Sequence, residues 1–145
     1  MKLTSITAER HYFNKKPNGP PFRLLLGFSN GGTLRLQVAG DGQRMILDND
    51  PLPGPMKMDE FGRTELSDVT RNLFPRLCEL VIERIVELVW HRKTVGICLE
   101  FQTSSPFYFW VDGDELRWGD PTALRAHDWL DNVLPSATEK AVLVE

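Results

Sequence analysis

Apolar and polar residues alternate in twos over residues 22–48, the period of strands that bury one face. Phe22, Leu24, Leu26 and Phe28 alternate with Arg23, Leu25 and Gly27, and Leu34, Leu36 and Val38 with Thr33, Arg35 and Gln37. Between the two runs, Ser29-Asn-Gly-Gly32 supplies the positive φ angles of a tight hairpin. Gly40-Asp-Gly42 turns the chain again, into Arg44-Met-Ile-Leu-Asp48. The pattern predicts a β-meander. Residues 3–13 alternate poorly and are assigned a further N-terminal strand, joined through the loop Asn14-Lys-Lys-Pro-Asn-Gly-Pro-Pro21. Asn49–Pro55 holds three prolines within five residues, which removes ladder donors and makes it a linker or rim loop.

The period then lengthens. Leu77, Val81, Ile85, Leu88 and Val89, widened by Cys78 and Ile82, fall on one stripe at helical spacing. Glu79, Glu83, Glu87 and His91 recur every fourth residue on the other side. With Ser67 as cap, Pro75 at the start of the main turn run and His91-Arg-Lys93 at the carboxyl end, this predicts a long central helix ending near Lys93. Val95, Ile97, Leu99 and Phe101 return to period two. Asp120-Pro121 opens a short helix carrying Ala123, Leu124, His127, Trp129, Leu130 and Leu134 and stopped by Pro135, and the tail Lys140–Glu145 reads either as a last edge strand or as a fraying end. Strands, long helix, strands, short helix make an α+β domain, an antiparallel sheet packed by one long helix and a short C-terminal one. It is assigned to a single domain over residues 1–145.

The densest information lies in Phe107-Tyr-Phe-Trp-Val-Asp-Gly-Asp-Glu-Leu-Arg-Trp118. It reads as a hairpin turning at Asp112-Gly113 or Gly113-Asp114, and both registers give the same faces. Phe107, Phe109, Val111, Leu116 and Trp118 share one face; Tyr108, Trp110, Glu115 and Arg117 share the other. Aromatics on both faces require a cover on both sides or a partner for one of them.

Composition narrows the classes. A chain of 145 residues, 41% hydrophobic and 26% charged, has the make-up of a globular domain. No apolar run reaches the roughly 18 residues of a membrane helix, the N-terminus lacks the apolar stretch of a secretory signal, and two cysteines make no disulfide framework. A cytoplasmic setting is the expectation. The net charge of −3 hides a gradient. Residues 1–44 carry seven basic side chains against Glu9 and Asp41, a balance of +5. Residues 112–131 carry six acids against Arg117 and Arg125, a balance of −4. Because the aromatics sit beside the acids, nucleic acid is not the expected partner, and neither is a membrane.

No nucleophile elbow, phosphate loop, dinucleotide fingerprint or paired-histidine zinc motif occurs. Glu83, Glu87 and His91 on one helix face would span about 12 Å, too far for one ion, so they read as a solvated face. Asp112-Gly-Asp114-Glu115 lacks the distal ligands of a calcium loop and reads as a polar turn. His127 with Asp131 could form an imidazole–carboxylate pair, to which Glu100 could add in a pocket between sheet and helix. Cys78 and Cys98 read as buried thiols and His11 as structural. No metal and no cofactor are expected.

What remains is the hairpin. Tyr108 and Trp110 as anchors, Arg117 at the centre and Asp112, Asp114, Glu115 and Asp120 at the rim have the composition of a protein interface. In size, acidity and lack of catalytic motifs the chain resembles bacterial immunity proteins. That resemblance, of size and composition only, implies a non-enzymatic protein that binds and neutralises a cognate toxin, here a basic protein partner. A small-molecule-binding domain or hydrolase is the alternative, and a homodimer through edge strands a further possibility.

Overall fold

The computed structural model describes residues 1–57, 61–126 and 138–142. The first part of the chain forms β1 (Leu3–Phe13), β2 (Lys16–Pro17), β3 (Arg23–Phe28), β4 (Thr33–Val38), β5 (Met45–Asp48), β6 (Met56–Lys57) and β7 (Arg63–Asp68). These make one antiparallel sheet in the order β5-β4-β3-β1-β7-β6, with β2 folded back on β1. A short helix α1 (Thr70–Leu73) and a single 3-10 turn at Leu77–Glu79 carry the chain across. The second sheet contains β8 (Ile82–Trp90), β9 (Lys93–Phe101), β10 (Phe107–Asp112), β11 (Glu115–Gly119) and β12 (Thr138–Ala141), in the order β11-β10-β9-β8-β12. Between β11 and β12 lies the helix α2 (Pro121–Arg125).

One continuous cluster joins the two sheets. Leu3, Ile6, Ala8, Leu24, Leu26, Leu34 and Leu36 from the first sheet meet Ile85, Ile97, Leu99, Phe109, Val111 and Leu116 from the second. The molecule is therefore a β-sandwich, and the α+β reading with a long central helix is overturned. Ser67–Lys93 is the end of β7, two short turns of helix and β8. Two local features produced the helical spacing. A register shift between Ile82 and Arg84 inserts a bulge, so Ile82 and Ile85, three apart, both reach the sandwich core. Val86 and Leu88 are buried on the opposite face, so polar residues do not alternate with apolar ones. The segment ends not at a helix terminus but in a hairpin turn, His91 and Arg92 both having left-handed φ (50° and 64°).

The same device explains β1. Its register shifts between Leu3 and Ser5, and Leu3 and Ile6 share the core face in spite of their spacing. Elsewhere the patterning holds: β3 and β4 alternate, the Asn30-Gly31 turn closes with Gly31 at φ 86°, and Gly40-Asp-Gly42 leads into β5. Phe22 does not join the buried row; it precedes β3 and is 45% exposed.

Candidate functional site

The β10–β11 hairpin forms as the sequence predicts. Gly113 and Asp114 take left-handed φ angles of 52° and 71°, the two-residue turn that matches strand twist. Phe109 pairs with Trp118, Trp110 with Arg117, Val111 with Leu116 and Asp112 with Glu115. Phe109, Val111 and Leu116 enter the sandwich core, with Phe107 and Trp118 packed against it. Phe74 fills the space between those rings, 5.1 Å from Trp118 and 5.6 Å from Phe109 between centroids.

The opposite face is covered, which corrects the expectation of an exposed aromatic anchor. Trp110 is only 2% exposed. It belongs to a second cluster with Val86, Leu88, Val95, Cys98 and Leu124, against which Tyr108 and Ala123 pack. Leu124 and Ala123 come from α2, whose start is fixed by Asp120: its Oδ1 accepts the Ala123 N–H at 2.8 Å, and Pro121 occupies the first turn. Two glycines permit this packing. A Cβ on Gly96 would lie 2.5 Å from the Phe109 carbonyl oxygen and 3.3 Å from Trp110, and one on Gly119 would meet Ala123 at 2.5 Å. Trp110 is thus a core residue, and Tyr108 is half-buried at its border.

The acidic residues remain at the surface. Asp114, Asp120 and Arg117 are exposed, Asp112 and Glu115 half-buried. Arg117 lies between two of the acids, with Nε 3.3 Å from Asp112 Oδ2 and Nη2 2.9 Å from Glu115 Oε2. The hairpin and its exit therefore keep a net negative charge: four acids (Asp112, Asp114, Glu115, Asp120) against Arg117. Asp114 also ties the tip to the other sheet, its N–H reaching the Gly42 carbonyl oxygen at 3.4 Å. Gly42 has φ 69°, and a Cβ there would overlap the Asp114 carboxylate.

Along β11, an edge strand among the described residues, runs a groove of about 370 Å³ lined by Pro20, Trp110, Glu115, Leu116, Arg117, Trp118 and Ala123. A second depression of about 310 Å³ lies where Phe22 and Arg23 approach Asp114. Sequence reasoning missed Pro20 and Phe22, because they arrive from a loop of the opposite sheet. The only signal was the Pro20-Pro21 pair, which holds that loop stiff ahead of β3.

The other candidates disperse. Glu83 and Glu87 stand on a strand, and Glu87 accepts a hydrogen bond from the Thr94 hydroxyl at 3.1 Å. No group of three metal-ligating side chains occurs among the described residues. Both oxygens of Glu100 are held by Arg84 at 2.8 Å, and that hydrogen bonding lowers its carboxyl below the ordinary value; it is a poor general base. Burial, with Asp68 and Glu79 nearby, raises the Cys78 thiol and keeps it protonated, while Cys98 is buried. His127, Asp128 and Asp131 lie outside the described residues. No helix among the described residues is long and apolar enough to cross a membrane. No known family, curated protein or solved structure matches this chain.

Proposed function

We propose that this chain is a non-enzymatic protein-binding module, which meets a basic protein partner along the edge and tip of the β10–β11 hairpin. One observation carries the reading: a groove at a sheet edge holds Glu115 and Arg117 among Pro20, Leu116 and Trp118, a second depression holds Asp114 beside exposed Phe22, and Asp120 is exposed at the hairpin's exit. Aromatic and apolar side chains interspersed with charged ones are the composition of a specific interface. The carboxylates would steer a positively charged partner into register, and the groove would supply the contact area. Trp110 supports the groove from below rather than anchoring the partner itself.

A toxin-neutralising, immunity-type role suits this arrangement. A toxin acting on an anionic substrate presents basic groups, and the hairpin acids would compete for them. This part of the reading rests on the resemblance in size, acidity and composition.

The test is capture of the partner from the native cell by tagged protein, set against the double charge reversal Asp114→Lys/Glu115→Lys. Neither side chain belongs to the core, so the variant keeps its fold, checked by its melting curve. The wild type should hold a partner with a basic surface roughly a hundredfold more tightly than the variant, a loss of about 3 kcal/mol. A partner held equally by both would remove the site, and an acidic partner would remove the charge argument.

A further inference from the structure

We propose that the end of the sandwich where its hairpin turns converge holds a separate binding site for a small planar anion, an aromatic carboxylate by class. Three turns meet there: Gly40–Gly42 from the first sheet, and His91-Arg92 and Gly113-Asp114 from the second. They surround a pocket of about 430 Å³, within the range of small-molecule sites. Val95 and Val111, almost fully buried, form its floor, Trp90 its wall, and Gln43, His91 and Lys93 its rim.

Three features select the ligand. Both ionisable residues lining the pocket, His91 and Lys93, are basic, and no carboxylate lines it. The Lys93 ammonium donates to Gln43 Oε1 at 3.1 Å, which holds the cation at the mouth and bridges the two sheets there. The half-buried Trp90 offers a flat apolar surface, with the His91 ring packed edge-on against it at 4.2 Å. A flat ring against Trp90 with its carboxylate at Lys93 satisfies all three. His91 and Arg92 close the β8–β9 hairpin in left-handed conformations, as Asn14 and Lys15 do between β1 and β2. The run His91-Arg-Lys93 has no helix dipole to answer, since the chain there is a turn between strands.

The site uses none of the hairpin carboxylates, so it stands or falls apart from the protein-binding reading. The experiment titrates the full chain with naphthalene-2-carboxylate and with the neutral 2-naphthalenemethanol. Calorimetry measures affinity, and amide and indole N–H shifts in NMR spectra locate the site. The carboxylate should bind saturably with a Kd on the order of 0.1 mM, moving the Trp90 indole and the amides of Gly42, Lys93 and Val95. The alcohol should bind roughly tenfold more weakly. Exposed Lys93, replaced as Lys93→Gln, should cost the carboxylate the same factor and leave the alcohol unchanged, whereas Trp90→Ala should weaken both. Absence of saturable binding, shifts located elsewhere, or equal carboxylate affinity in Lys93→Gln would overturn the proposal.

Discussion

The two sheets bury themselves differently. In the first, β3 and β4 put Leu24, Leu26, Leu34 and Leu36 inward and leave an outer face of ion pairs, with Arg23 2.7 Å from Glu9 and Arg35 2.8 Å from Asp48. In the second, Val86, Cys98 and Trp110 are as deeply covered on the outer side as Ile85, Ile97 and Phe109 are on the inner. Alternation along a strand therefore records a difference between its two faces, not the strand itself. Where both faces are dry the alternation vanishes, and a single bulge suffices to imitate a helix.

Mutations can break that contrast. The largest effect is expected from Trp110→Ala, which empties the covered outer face: about 3–5 kcal/mol, read from guanidinium unfolding. A loss under about 1 kcal/mol would mean that face is open after all. Next comes Gly96→Ala, where the added methyl must displace the β10 backbone. Overpacking of this kind costs about 1–3 kcal/mol, and a neutral outcome in the same unfolding assay would contradict the close approach of Phe109.

The ion pairs of the first sheet's outer face should answer to pH. Hydrogen bonding from Arg35, chiefly, holds the Asp48 carboxyl below its ordinary value. A group lowered in the folded state adds stability above its unfolded pKa and loses it as pH falls through the folded one. Wild type should therefore lose stability as pH drops below about 4. Asp48→Asn should show a flatter curve there, with a difference no larger than about 1 kcal/mol for a pair this near solvent. Smallest is Ile46→Ser on the outer face of β5, expected to stay within about 0.5 kcal/mol. A cost comparable to that of Trp110→Ala would show the first sheet covered as well.

Legibility followed the same division. The β10–β11 hairpin, its turn and the membership of its faces were readable residue by residue, because the short Asp112-Gly113-Asp114 turn leaves few registers and each of them gives the same faces. Whether α2 lies over Trp110 was not, since that is decided by packing between distant segments. One clue did exist: Gly96, alone within the apolar run Val95–Leu99, left room for the indole now opposite it. The turn at His91-Arg92 carried no glycine, asparagine or proline, so nothing announced the break between β8 and β9. Of the candidate site, the acids were placed by the turn, whereas Pro20 and Phe22 depended on how the sheets stack.

The last strand among the described residues has a consequence for the strand it covers. β12 pairs with β8 from Val86 to Val89, closing the outer margin of Ile-Glu-Arg-Ile-Val-Glu-Leu-Val-Trp, a run rich in β-branched residues. A chain cut before Thr138 would present that margin bare, a template on which the β8 of another copy could add. Four residues of backbone thus occupy the stretch of β8 from Val86 to Val89 that would otherwise lie open to pairing.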